Sequence, residues 1–247
     1  MELAYPTCAF PDDTGSFFVA ELASGSTSLE RNILELFEFL PDGCGHTRVT
    51  VAQRWRLSND DVEVIFDEGW LPLRAWKRMT VPGSPRPDGH GDIRRYELRM
   101  PEVTIKRRTP DGEIVYEVLK PSGRTQEPGV LGMRPTAVIG PGRGLLTAWL
   151  KRARLSVGSK SREWVLDFRE MVEKLQQVTL RRDEDRNEPT LGRTVRVYTI
   201  YGRESVFADE NDVVVGDLGG LRTAQSLGVA PIAIRYDYGA PDPKGTP

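Results

Sequence analysis

The tripeptide Pro-Asp-Gly occurs three times in this chain, at residues 41–43, 87–89 and 110–112. The stretch "RRTPDGEIVYEV" (107–118) shows its setting: a basic run, the tripeptide, and then an alternation carried by Ile114, Tyr116 and Val118. Pro presets φ for the first corner of a turn and Gly accepts the positive φ of the second, so the motif reverses the chain. At each copy an alternating apolar run ends, and after two of them another begins at once. The repeat therefore reads as the hairpin rhythm of an antiparallel sheet, and Asp111 as part of a turn with no catalytic duty.

The runs between the turns support that reading. In "TRVTVAQRWRL" Val49, Val51, Trp55 and Leu57 share one parity while Thr50, Arg54 and Arg56 share the other, the mark of a half-buried strand. "IRRYELRMPEVTIKRR" and "EIVYEVLKP" form a hairpin around the third turn, and "TVRVYTIYGRESVFADENDVVVGDL" offers two or three strands joined at Gly202 and at the Asp-Glu-Asn-Asp turn. Other stretches stay open between helix and strand. "LERNILELFEFLPDG" fits both, although its exit through Pro-Asp-Gly favours a hairpin. "LLTAWLKRARLSVG" also fits both. In "SREWVLDFREMVEKLQQVTLRR" Trp164, Phe168, Met171, Val172 and Leu175 make a helical stripe, yet Trp164, Leu166 and Phe168 alternate, which leaves 161–178 undecided.

These patterns imply a mainly β fold: a large curled antiparallel sheet, as a barrel, a half-barrel or two layers, with at most one or two helices. The expected organisation is an irregular lead-in over 1–28 with a short strand at Phe17–Leu22, one β-sheet domain over 29–225, and a loose tail over 226–247. The 18 Pro and 24 Gly, spread along the chain, fit many turns.

Charge excludes some functions. The 34 basic and 36 acidic side chains nearly cancel, so no global field draws the chain to nucleic acid or an anionic membrane. No apolar run reaches the roughly 18 residues that span a bilayer. Two cysteines, Cys8 and Cys44, fall short of a four-ligand zinc site and read either as one disulfide or as two separate thiols. The start "MELAYPT" looks like a chain trimmed at a signal-peptide boundary, which favours a periplasmic or secreted protein over a cytoplasmic one.

Few residues look like chemistry. The two histidines, His46 and His90, lie in Gly-rich loops, there is no Gly-x-Ser-x-Gly elbow, and no metal ligand set or cofactor is expected. "GPGRG" (140–144), with Arg143 as a possible anion ligand, lacks the Gly-Lys-Ser/Thr of a phosphate loop and a βαβ context. Asp209, Glu210, Asp212 and Asp217 offer oxygen ligands at a spacing unlike a calcium loop, and ordinary turn chemistry accounts for them. Among the acids, Glu97, Glu117 and Asp167 sit on strands among aromatics. The aromatic set, which also includes Trp70 and Trp76, supplies the ligand-pocket candidates: Trp55, Tyr96, Tyr116, Trp149, Trp164 and Tyr198. One sheet face must bury such residues, and a curved sheet leaves a concavity in which some of them meet a ligand.

Val49-x-Val51-x-x-Arg54-Trp55, the run Arg196 to Glu204 ("RVYTIYGRE") and the Asp-rich hairpin before "VVVGDL" together resemble curved-sheet proteins of the bacterial envelope, the LolA-like half-barrels of lipoprotein carriers and the uncharacterised periplasmic β-sheet families near them. The resemblance implies noncovalent holding of an acyl chain or similar apolar group in the sheet's concavity, with no turnover. It carries no functional residue across. The leading expectation is thus a noncatalytic extracytoplasmic β-sheet protein that binds an apolar or lipid-like ligand or an envelope partner. The alternative is an enzyme of hydrolase or isomerase type with a carboxylate, Arg and Tyr site inside a β-barrel. A third reading, an assembly component, requires an exposed apolar patch or edge strand.

Overall fold

The computed structural model describes residues 18–24, 34–41, 45–55, 58–80, 92–99, 102–108, 113–121, 134–140, 142–169 and 173–223. Its strands are β1 (Phe18–Ser24), β2 (Leu34–Pro41), β3 (Thr47–Trp55), β4 (Ser58–Phe66), β5 (Pro72–Thr80), β6 (Asp92–Glu97), β7 (Val103–Arg108), β8 (Ile114–Leu119) and β9 (Ala137–Ile139). A helix, α1 (Gly144–Ala153), precedes β10 (Lys160–Asp167), β11 (Lys174–Arg182), β12 (Arg186–Glu188), β13 (Arg193–Ile200), β14 (Glu204–Ala208), β15 (Val214–Asp217) and β16 (Leu221–Thr223). The hydrogen-bonded order runs β8, β7, β6, β5, β4, β3, β2, β1, β16, β15, β14, β13, β11, β10, β9, with β12 paired to β13 alone. Every neighbouring pair is antiparallel except β9 and β10.

The three Pro-Asp-Gly copies fall between strands that pair antiparallel. Pro41 faces Thr47, Met79 faces Asp92, and Arg108 faces Ile114 across the three connections. The turn residues from Asp42 and from Pro110 onward, and the whole copy at 87–89, lie outside the described residues. β1 falls within the stretch read as a lead-in and joins the sheet between β2 and β16.

The undecided stretches resolve for identifiable reasons. "LELFEFLP" is strand, because Phe37 and Phe39 enter the core on one parity. The described parts of 161–178 are strand: β10 and β11 pair from Lys160↔Arg181 to Asp167↔Lys174. Asp167 ends β10 locally, since its Oδ1 accepts the Arg169 backbone N–H at 3.0 Å, an Asx-type turn that halts the ladder. "GLLTAWLKRA", by contrast, is helix. Residues 144–150 are buried on every side, so the segment carries no polar stripe by which a helix is read from sequence.

The sheet curls until its two arms share one core. Phe37, Val49, Val64 and Ile105 from the β2–β7 arm pack in the same cluster as Val165, Leu175, Ile200 and Val206 from the β10–β14 arm, with Leu145, Trp149 and Leu150 of α1 between them. Pro121, just past β8, bridges to Leu175 of β11 and brings the far ends of the strand order together. A smaller cluster, Val195, Phe207 and Val215, lies apart from this core, with the Phe207 ring between the guanidinium groups of Arg186 and Arg222.

Candidate functional site: the filled concavity

The helix enters the concavity through "GPGRG", and here the structure corrects the sequence reading. β9, α1 and β10 form a βαβ unit with parallel strands, so the glycine segment does have that context. It still leaves no room for a phosphate. A Cβ on Gly142 would lie 2.4 Å from Val51 Cγ1, and one on Gly144 would lie 2.5 Å from Phe37 Cβ. These glycines let the helix start press directly on β2 and β3. The anion position at the helix N-terminus is taken by Glu35, fully buried on β2, whose Oε2 accepts the Arg143 backbone N–H at 2.6 Å. Arg143 is therefore no anion ligand. Its Nε pairs with Asp217 at 2.8 Å and its Nη2 approaches Glu204 at 3.5 Å. Burial works against the guanidinium charge, but Glu35, Asp217 and Glu204 outweigh it and hold Arg143 above its ordinary value.

From Glu204 the network continues inward. Arg169 donates to Glu204 at 2.7 Å and grips Asp167 through Nε and Nη2 at 3.0 and 2.9 Å. Tyr201 and Gln176 also donate to Asp167, at 2.8 and 3.0 Å. Burial alone would raise Asp167, yet the Arg169 and Tyr201 hydrogen bonds leave it below the usual carboxylate value. Tyr201 reaches this position because it adopts φ 55° at the first corner of the β13–β14 turn, followed by Gly202 at φ 72°. Asp167 is thus ionised and saturated, a structural anion with no lone proton to exchange.

A second polar group ties the arms together. Glu173 accepts from Tyr96 of β6 at Oε1 and from Arg94 of β6 at Oε2, both at 2.6 Å. Lys77 of β5 donates to the Phe168 carbonyl at 2.8 Å and lies 4.0 Å from Glu173. Phe168 stacks on Tyr96, with centroids 4.7 Å apart. Burial, with the Glu173 carboxylate next, pushes the Tyr96 phenol up, so Tyr96 remains a proton donor.

Against this background Trp149 stands out. It is 1% exposed, in the core between the arms, and its indole Nε1 has no hydrogen-bond partner among the described residues. A neighbouring helix residue, Thr147, spends its hydroxyl oxygen on the Val214 backbone N–H at 3.0 Å, which fixes α1 to β15. A buried donor without an acceptor costs about 1–3 kcal/mol.

The other pocket candidates are spread more widely. Tyr96 belongs to the Glu173 group. Tyr198 is buried, donates to Asp212 at 2.7 Å and lies beneath Arg182. Trp164 packs half-buried against the main core. Tyr116 stands on the outer face of β8 with Lys106 over its ring, away from the concavity. Trp55 ends β3, and its side chain is outside the described set. Of the strand acids, Asp167 enters the network, Glu97 lies beside Arg74 and Arg99, and Glu117 pairs with Arg107. Asp209 and Asp212 serve the β14–β15 turn and its neighbours separately. Cys8, Cys44 and His90 lie outside the described residues, and His46 sits just before β3. Lys77, Glu173, Arg94, Arg169 and Glu35 were not singled out from sequence. Lys77 and Glu35 had a readable signal, since each keeps the parity of core residues, Ala75 and Phe37. A separate surface cleft of about 310 Å³ is lined by charged groups, Arg154, Arg182, Asp185, Arg196 and Asp212 among them.

The fold and site define a curled antiparallel sheet wrapped around one helix, with paired charges bracing an apolar interior. No family model matches the chain, and no curated protein matches it. Among solved structures it is similar to a DUF1089 family protein from Pseudomonas aeruginosa, at 13% identity over 87% of this chain and 96% of that one, with a TM-score of 0.42. It is also similar to a β-barrel-like protein of the domain of unknown function DUF1849 from Brucella abortus, at 10% identity over 80% of this chain and 81% of that one, with a TM-score of 0.39.

Proposed function

We propose that this protein is a noncatalytic β-sheet module that holds an apolar or lipid-like ligand noncovalently in its concavity, beside α1. The observation that carries the reading is Trp149: a buried donor with no partner among the described residues, on a helix whose other buried side chains are mostly aliphatic. An amphipathic ligand answers both features, because its hydrocarbon part replaces core contacts and an ester, carbonyl or hydroxyl oxygen accepts from the indole N–H. The similarity to LolA-like half-barrels, and with it a periplasmic or secreted location and an envelope partner, belongs to the same proposal. A thiol titration of denatured protein, with and without reductant, tests the location through the Cys8 and Cys44 pairing.

Native mass spectrometry of the purified chain, before and after organic extraction, tests the ligand. A releasable adduct of lipid mass is the expected result. A clean apo mass that takes up no medium-chain monoacylglycerol contradicts the proposal.

One observation favours the enzyme reading, namely the convergence of Lys77, Arg94, Tyr96 and Glu173. Both Glu173 oxygens are engaged, which suits a brace better than a base. Turnover of any ester or sugar substrate that is lost in Glu173→Gln while the fold is kept would establish the enzyme instead.

A further inference from the structure

We propose that β8 is a self-association edge, through which two copies of this chain join antiparallel into one continuous sheet. Among the described residues β8 ends the strand order and pairs with β7 alone, its chain meeting β11 only past its end, at the Pro121↔Leu175 bridge. Its outer-face residues Ile114, Tyr116 and Val118 are 49%, 64% and 51% exposed, an apolar row on a strand that bears no Lys or Pro between Ile114 and Leu119. Edge strands are ordinarily protected by such residues or by inward-pointing charge. β8 does carry one charge on its inner face, Glu117, but Arg107 of the same copy meets it at 2.8 Å.

The sequence of β8 selects one partner and, among the registers that oppose five residues of the strand, one register. In a two-fold antiparallel pair, opposite residues must share a face, so the numbers of each opposed pair sum to an even value. Centring the axis on Val115 sets Glu113 against Glu117, and centring it on Glu117 sets that carboxylate against its own copy. Both arrangements oppose like charges, which destabilises a sheet. Centring it on Tyr116 instead faces Tyr116 with Tyr116, Ile114 with Val118, and Glu117 with Val115. The exposed row then continues across the axis without a charge conflict, which is the self-complementarity that a two-fold interface demands. A six-residue ladder is small beside standard interfaces of about 1,600 Å², so the association is expected to be reversible and concentration-dependent.

The register makes the test specific. Sedimentation velocity on the full chain over a wide concentration range should show the wild type rising toward twice the monomer mass. Tyr116→Glu and Tyr116→Lys, each with unchanged circular dichroism, should remain monomeric, with at least a tenfold weaker association. An equimolar mixture of the two variants should recover dimers, because position 116 faces itself. Hydrogen exchange on the wild type gives a mutation-free check, with β8 amides gaining protection as concentration rises. A wild type that stays monomeric throughout, or variants that dimerise unchanged or fail to recover on mixing, would overturn the proposal.

Discussion

Trp149 and Glu188 show how far single residues carry the account. Replacing Trp149 with Phe removes the unpaired N–H but leaves a small void. The two effects oppose, so the unfolding free energy of the free protein should change by less than about 1 kcal/mol in urea titration. A loss of several kcal/mol would mean that the indole N–H has an acceptor. Glu188 makes the opposite case of a fully satisfied group. The Thr190 hydroxyl first, then Arg186, hold its carboxyl down to about 2, from an ordinary 4.5. A depressed carboxyl contributes its full stabilisation above the unfolded value and loses it as pH falls through the folded one. Stability should therefore drop between pH 4.5 and about 2, and Glu188→Gln should flatten that limb while lowering stability at pH 7. An unchanged acid limb in urea titrations at pH 3 and pH 7 would contradict this assignment. Trp149 could be nominated from sequence as a pocket aromatic, but its missing acceptor could not, because partners separated by many residues are set by the fold.

Among the elements, α1, β2 and the β10–β11 stretch fit helix and strand alike in sequence, whereas β3, β7 and β13 read as strands. In β7 the alternation survives folding, with Val103 and Ile105 buried and Thr104 and Lys106 only half-buried, while β3 and β13 bury residues of both parities, Thr50 and Ala52 beside Val51, and Val195 beside Tyr198. α1 is enclosed, and its Leu, Ala and Trp run fits helix and strand alike until Gly142 and Gly144 are seen against Val51 and Phe37. The same contact explains why "GPGRG" looked like a phosphate segment: close backbone approach needs glycine whether the neighbour is a phosphate or a phenylalanine ring. Gly144→Ala forces its Cβ into Phe37 and should cost about 1–3 kcal/mol. Gly192→Ala, at φ +65° with open space around it, carries only the left-handed strain of about 1 kcal/mol. Thermal melts that rank Gly192→Ala as the more damaging would show that α1 does not press on β2 as described.

At the scale of the whole molecule the curled sheet was legible from the spacing of the turns, whereas the closure was not. The closure depends on the link from Lys77, Arg94 and Tyr96 to Phe168 and Glu173, which lie about 75 to 90 residues further along the chain and announce themselves by no motif. Glu173→Ala removes the carboxylate that Arg94, Tyr96 and Lys77 share and should cost about 3–5 kcal/mol, whereas Lys77→Met combined with Glu173→Ala should cost less than the sum of the two single changes. Additive effects in that cycle would deny the coupling between the arms.

In the proposed function the braced interior admits an amphipathic guest at Trp149. Isothermal titration of the extracted, ligand-free protein with a ten-carbon monoacylglycerol below its micellar concentration tests it most directly. Saturable one-to-one binding is expected, weakened roughly 3- to 10-fold in Trp149→Phe by the loss of one hydrogen bond. No saturable heat in the wild type, or equal affinity in the two proteins, would contradict it.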